Sequence, residues 1–179
     1  MVCVMEQIAI YPLDHFYREL GAALPRISPI KGKAMPEPQR HLLVHSGDMT
    51  GRLEQFHQHP IHLQILHKHL GAEFLSRMVV LLSDQGRPLE FGAIRIHLNS
   101  LPEKARQQVC GCYLPLGGIL NSNKVDFASQ VGGYFSLEAD DLINGALQAS
   151  KHHKLYGRVN RLVTHDGLTI ADVVEILPH

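Results

Sequence analysis

The sequence has little of what marks a specialised class of protein. Its three cysteines, Cys3, Cys110 and Cys112, cannot make a disulfide framework, and Cys-x-Cys alone is a poor zinc signature. It has no net charge, with Lys+Arg and Asp+Glu at 17 each, which argues against a nucleic-acid surface built on overall charge. No stretch approaches 18 consecutive apolar residues, and an early Glu6 stands where a signal peptide would run from basic to apolar. The reading is a cytoplasmic protein with no membrane span. There is no repeat and no low-complexity segment. What remains is ordinary for a globular chain, 45% hydrophobic and 19% charged over 179 residues, enough for one domain with a sizeable core. Only histidine is unusually abundant: thirteen in all, six of them between His45 and His69, with a second cluster at His152-His153. Pro60 breaks the His57-His59-His62 run, and neither carboxylate nor cysteine accompanies His67 and His69. They read as loop and strand-end residues, so neither a metal site nor a cofactor is expected.

In chain order, residues 1 to 11 are apolar without a clear period, and Phe16, Leu20 and Leu24 give Asp14 to Leu24 a short helical pattern,. Pro25 to Pro38 holds four prolines and reads as a linker or surface loop. Asp48 or Ser46 can cap a helix that Met49 enters, with Leu53 and Phe56 on its apolar side,. From Ile61 onward the period becomes two, which predicts strands near 61–69, 73–83 and 88–98, with a hairpin turn at Ser83-Asp-Gln-Gly86,. Ser100 caps a helix from Leu101 to about Val109,. The Pro115-Leu-Gly-Gly118 element reads as a tight turn whose backbone N–H groups could hold an anion,. A strand over Val125 to Leu137, bulged at Gly132-Gly133, precedes a helix over 138–149,. Strands at Leu155 to Val163 and Leu168 to Pro178 close the chain as a hairpin through Thr164-His-Asp-Gly167,. The sum is α+β: a six-stranded antiparallel sheet flanked by helices.

Two charges fall in apolar rows. On the last strand Glu175 alternates with Ala171, Val173 and Leu177, and on an earlier one Arg77 alternates with Leu75, Val79 and Leu81,. A buried carboxylate without a partner is costly, and a burial-raised pKa suits proton chemistry or hydrogen bonding to a ligand. The two could also pair with each other as plain structure, and Glu90 is another available partner for Arg77. Arg95, in phase with Phe91 and Ala93, is a weaker candidate for the same interior. Arg158 and Arg161 point to opposite faces, so only one looks inward.

The order of these pieces resembles the chorismate lyase (chorismate–pyruvate lyase) family, in a branch divergent from the ubiquinone-pathway enzymes. The landmarks are Asp48-Met-Thr50 opening a helix, Arg77 in a strand, Gly86-Arg-Pro88, Pro115-Leu-Gly117, Tyr156-Gly-Arg158, and Val174-Glu-Ile-Leu-Pro178. Only their combined order and spacing are specific, across roughly residues 40 to 178. The resemblance implies a domain over 40–179 enclosing a small buried pocket, with 1–39 as an N-terminal helix and proline-rich lead-in packed on it. It implies elimination of pyruvate from chorismate to leave 4-hydroxybenzoate, or a close hydroxybenzoate, without a cofactor, a step of aromatic acid biosynthesis. It places ligand residues at Met49, Arg77, Leu116 and Glu175, with Arg77 and Glu175 as the catalytic pair. Arg77 would anchor a carboxylate, Glu175 would sit by the hydroxyl or ether oxygen, and Met49 and Leu116 would give main-chain N–H groups and cover. One departure stands out: the ubiquinone-pathway lyases carry an inward Arg close to the position of Ala93, where this chain reads Glu90-Phe-Gly-Ala-Ile-Arg95.

The alternative is a non-catalytic module of the same fold that binds a small aromatic carboxylate, since effector-binding domains of some bacterial transcription regulators resemble it. Such domains normally follow a helix-turn-helix, and the 40 residues before the resemblance are too few and too proline-rich to form one, which favours the enzyme. The expected partner is a small molecule, with no nucleic acid and no membrane, and the chain a monomer or weak homodimer.

Overall fold

A computed structural model describes residues 8–148 and 153–179. Cys3, His152 and the end of the helix expected over 138–149 lie outside these. In order the elements are α1 (Leu13–Glu19), β1 (Ile27–Ile30), α2 (Gln39–Leu43), α3 (Met49–His57), β2 (His62–Leu70), β3 (Phe74–Leu82) and β4 (Pro88–His97). Then come α4 (Glu103–Gly111), α5 (Leu116–Ser122), β5 (Ala128–Glu138), α6 (Asp141–Leu147), β6 (Lys154–Val163) and β7 (Thr169–Leu177). Every pairing is antiparallel, in the order β1-β5-β6-β7-β4-β3-β2.

The sheet has seven strands rather than six. The extra one, β1, comes from the proline-rich stretch expected to be a linker; Ile27 to Ile30 pairs with Leu137 to Tyr134 at the sheet edge. Pro29 is tolerated because an edge strand needs ladder bonds on one side only. The β6–β7 hairpin turns at Gly167, whose φ of 86° is open to glycine without strain,.

Helices cover both faces, so β4 and β7 in the middle are buried almost throughout instead of alternating,. On the back, Leu13, Phe16 and Tyr17 of α1 and Ile143 and Leu147 of α6 pack on Phe91, Phe135, Val174 and Ile176. The Tyr17 hydroxyl donates to Asp140 Oδ2 at 2.7 Å, and Asp140 caps α6 by accepting from the Ile143 N–H. The front carries two apolar clusters. One joins α4 and α5 to Ile94, Ile96, Leu162 and Val173; the other joins α2 and α3 to Leu81, Leu89 and Leu177. Ser100 does not cap α4: its hydroxyl donates to the Thr169 carbonyl at 2.7 Å, and Pro102 precedes the helix without a side-chain cap. Among the described residues no helix is long and apolar enough to cross a membrane.

Candidate functional site

The two front clusters do not meet over the middle of the sheet. A cavity of about 60 Å³ lies between them, room for a few water molecules as it stands and too small for a nucleotide. Strand register explains its floor, since cross-strand partners on one face stand side by side. One row runs Val79, Gly92, Glu175, Arg158; the next runs Arg77, Ile94, Val173, Asn160. Gly92 gives the floor its low point, because a Cβ there would come within 3.1 Å of Val79 Cγ2 and 3.4 Å of Glu90 Oε1.

The roof is the first turns of α3 and α5. Asp48 caps α3, its Oδ1 accepting from the Gly51 N–H at 2.7 Å. The same carboxylate ties α3 to α5, with Oδ2 accepting from Asn121 Nδ2 at 3.4 Å. The approach is so close that a Cβ on Gly117 would stand 2.5 Å from Asp48 Oδ1. The Pro115-Leu-Gly element is therefore the start of a helix rather than a free turn.

Met49, Arg77, Leu116 and Glu175 all line this one cavity, together with Glu90 and Asn160. The charges are not arranged as a mutual pair. Glu175, 5% exposed, accepts from Nε of Arg158, which is fully buried. Arg158 donates further to the carbonyls of Leu43 (3.2 Å), His45 (2.9 Å) and Gly47 (3.4 Å). It thereby fastens the segment between α2 and α3 down onto the sheet. Burial alone would push the Arg158 guanidinium down, but the Glu175 and Glu90 carboxyls leave it above its ordinary value. In the same segment His45 accepts from the Gly47 N–H at 3.0 Å. Burial, then Arg158 and Arg52, lower its pKa to about 4, so the ring is neutral.

Arg77 stands apart from this network. It is 1% exposed, and its Nε and Nη1 have no hydrogen-bond partner among the described residues. Burial pushes its guanidinium down, and the neighbouring Cys112 thiol acts the other way. Glu90 is 4% exposed with its Oε2 also unpartnered. Burial raises the Glu90 carboxyl well above the usual carboxylate range, Glu175 adds to the rise, and Arg158 opposes it. The surroundings therefore favour the uncharged form of the Glu90 carboxyl,. The cavity thus presents a guanidinium without an acid partner among the described residues, a carboxyl biased toward its neutral form and an amide within apolar walls.

Ala93 and Arg95 lie elsewhere. Ala93 packs in the back cluster with Val174 and Ile176, and the Arg95 guanidinium sits 4.1 Å from the Phe74 ring centre. Arg95 cannot stand in for an inward Arg. Arg158 is the residue that sequence reasoning undervalued. Its signal is its alternation with Asn160 and Leu162, which line the cavity. Among the described residues no group of three or more His, Cys, Asp or Glu side chains is placed to hold a metal ion.

No family model matches the sequence, and no curated protein matches it. Solved structures do. PhnF from Mycobacterium smegmatis matches with TM-score 0.58 at 12% identity, over 76% of this chain and 65% of that one. The effector domain of the same protein matches with TM-score 0.55 at 11% identity, over 74% and 88%. A possible transcriptional regulator, YydK from Bacillus subtilis, matches with TM-score 0.52 at 7% identity, over 66% and 59%. The chain therefore spans 65% of PhnF, and at these identities the likeness is one of fold,. The fold is the α+β antiparallel-sheet architecture of the PhnF effector domain, one that chorismate lyase shares.

Proposed function

We propose that this domain binds a small aromatic carboxylate in the cavity between α3, α5 and the sheet, as a module that responds to the ligand rather than transforms it. The observation that carries this is Arg77. A buried guanidinium with two unpartnered nitrogens is costly unless an anion completes it, and a carboxylate fits its fork in bidentate fashion. The other buried cation, Arg158, already has its acid and three carbonyls, so the incoming anion goes to Arg77. The apolar walls suit a ring, and the likeness to an effector domain fits a binding role better than a lyase.

A second reading keeps the lyase, because the four residues that the resemblance to chorismate lyase implies line a single cavity. Elimination of pyruvate from chorismate needs no external nucleophile, only a held conformation and a stabilised ether oxygen. Against it, the Glu175 carboxylate is engaged by Arg158. Incubation with chorismate, following pyruvate, 4-hydroxybenzoate and the melting temperature together, separates the readings. Thermal stabilisation by 4-hydroxybenzoate without pyruvate release is the expected result. Equal release of both products would establish the lyase. Neither product nor stabilisation would overturn both.

A further inference from the structure

Glu90 has no place in the readings above, yet it shares the cavity wall with Arg77. The register sets them at opposite ends: Arg77 faces Ile94 and Glu90 faces Leu81 across the β3–β4 ladder. Ile94 lies four positions along β4 from Glu90, about 13 Å along the strand. Between them lies Gly92, where Glu90 Oε1 reaches over the floor. The Glu90 Oε2 atom is buried without a partner, and a buried polar atom left so is costly.

The groups around Glu90 decide what it can offer. Arg77 is on β3, Glu175 on β7, and Arg158 on β6 with Tyr134 of β5 beside it. Asp48 stands at the roof, Cys112 lies by Arg77, and His45 lies beyond Arg158. Glu175 and Arg158 cancel as a pair. One positive charge, Arg77, is left for the cavity, and one ligand carboxylate neutralises it. A charged Glu90 would then be a surplus anion with no cation to face, so it enters the complex as the acid.

We propose that Glu90 is a second ligand-binding residue of this cavity, donating its carboxyl proton in a hydrogen bond to an oxygen at the far end of a small carboxylic acid anchored on Arg77. The ligand class is thereby narrowed to monocarboxylates with a flat apolar middle and a hydroxyl or keto oxygen opposite the carboxylate. An acid with an ammonium group at that end would need Glu90 ionised in apolar surroundings, and is disfavoured. Binding is linked to a proton: when Glu90 loses it, the donor is gone and the surplus anion appears. This deepens the proposed carboxylate-binding role and rests on it.

The test is calorimetric titration of the protein with 4-hydroxybenzoate, benzoate and 4-(aminomethyl)benzoate between pH 5.5 and 8.5, for wild type, Glu90→Gln and Glu90→Leu. Wild type should prefer 4-hydroxybenzoate over benzoate by about tenfold, the worth of one hydrogen bond from a buried group. Its affinity should fall by up to about tenfold per pH unit once Glu90 ionises. Glu90→Gln, whose amide still donates, should keep the preference and lose the pH dependence, whereas Glu90→Leu should lose the preference. An intact preference in Glu90→Leu, or tightest binding of the ammonium acid, would overturn the assignment of Glu90 while leaving carboxylate binding in place. Failure of wild type to bind any of the three acids at any pH would overturn the carboxylate-binding role, and Glu90's part with it.

Discussion

Arg77 and Arg158 are both buried arginines on the same face of one sheet, and replacing each by methionine should move stability in opposite directions. Methionine keeps much of the volume and removes the charge. Arg77 has two unpartnered nitrogens, so its removal relieves a desolvation penalty and breaks no ion pair among the described residues. Exchange of buried ions for apolar residues of similar volume is often stabilising by about 1–4 kcal/mol. In a chain of this length each kcal/mol moves the melting midpoint by about 2–4 °C. Arg77→Met should therefore melt several degrees higher than wild type in the absence of ligand. Arg158→Met leaves Glu175 as an uncompensated buried charge and takes the donor from three carbonyls. Breaking a buried pair from one side costs about 3–5 kcal/mol, so this variant should melt well below wild type. Thermal denaturation followed by circular dichroism reads both, with 4-hydroxybenzoate added in a second series. The ligand should raise the wild-type midpoint and leave that of Arg77→Met unchanged. A fall in the Arg77→Met midpoint comparable with that of Arg158→Met would instead make Arg77 an ion the fold needs, contrary to its assignment as a guanidinium kept for a ligand.

Other outcomes follow from the same groups. Glu90 has a raised folded-state value, so the folded protein keeps a proton that the unfolded chain releases near the ordinary value of 4.5. Stability contributed by the neutral form is therefore full below that value and lost as pH rises through the folded one. Denaturant titrations should show Glu90→Gln gaining on wild type with rising pH. His45 runs the other way: with a folded value of about 4 against 6.5, it contributes stability that is full above pH 6.5 and lost as pH falls toward 4. His45→Gln should lose less stability over that interval in the same titrations. Gly117→Ala would drive a Cβ to within 2.5 Å of Asp48 Oδ1, and should lower stability by about 1–3 kcal/mol, measurable as a lower denaturation midpoint.

Much of this fold could be read from period and turn chemistry. The strands from β2 to β4 and the β6–β7 hairpin stand where alternation and Gly-containing turns put them. What escaped had local reasons. The four residues of β1 are too few to show a period, and Pro29 argues against a strand unless the strand is known to be at an edge,. Glu175 and Arg77 were legible as charges in apolar rows. Which cation neutralises Glu175 was not, because that depends on register between strands: β6 sets Arg158 directly opposite, while Arg77 is on β3, which does not adjoin β7. The same ignorance of register left Glu90 as a mere spare partner. Alternation placed Arg95 and Ala93 in phase with each other but could not say which face was which. The faces became clear only when β7 fixed Gly92 beside Glu175.

The most direct test of Arg77 as the carboxylate anchor is isothermal titration of 4-hydroxybenzoate into wild type and Arg77→Met at pH 6. Saturable one-to-one binding by wild type, lost in an Arg77→Met protein that melts no lower, is the expected result. Undiminished binding to Arg77→Met would contradict the assignment of the buried guanidinium as the carboxylate anchor.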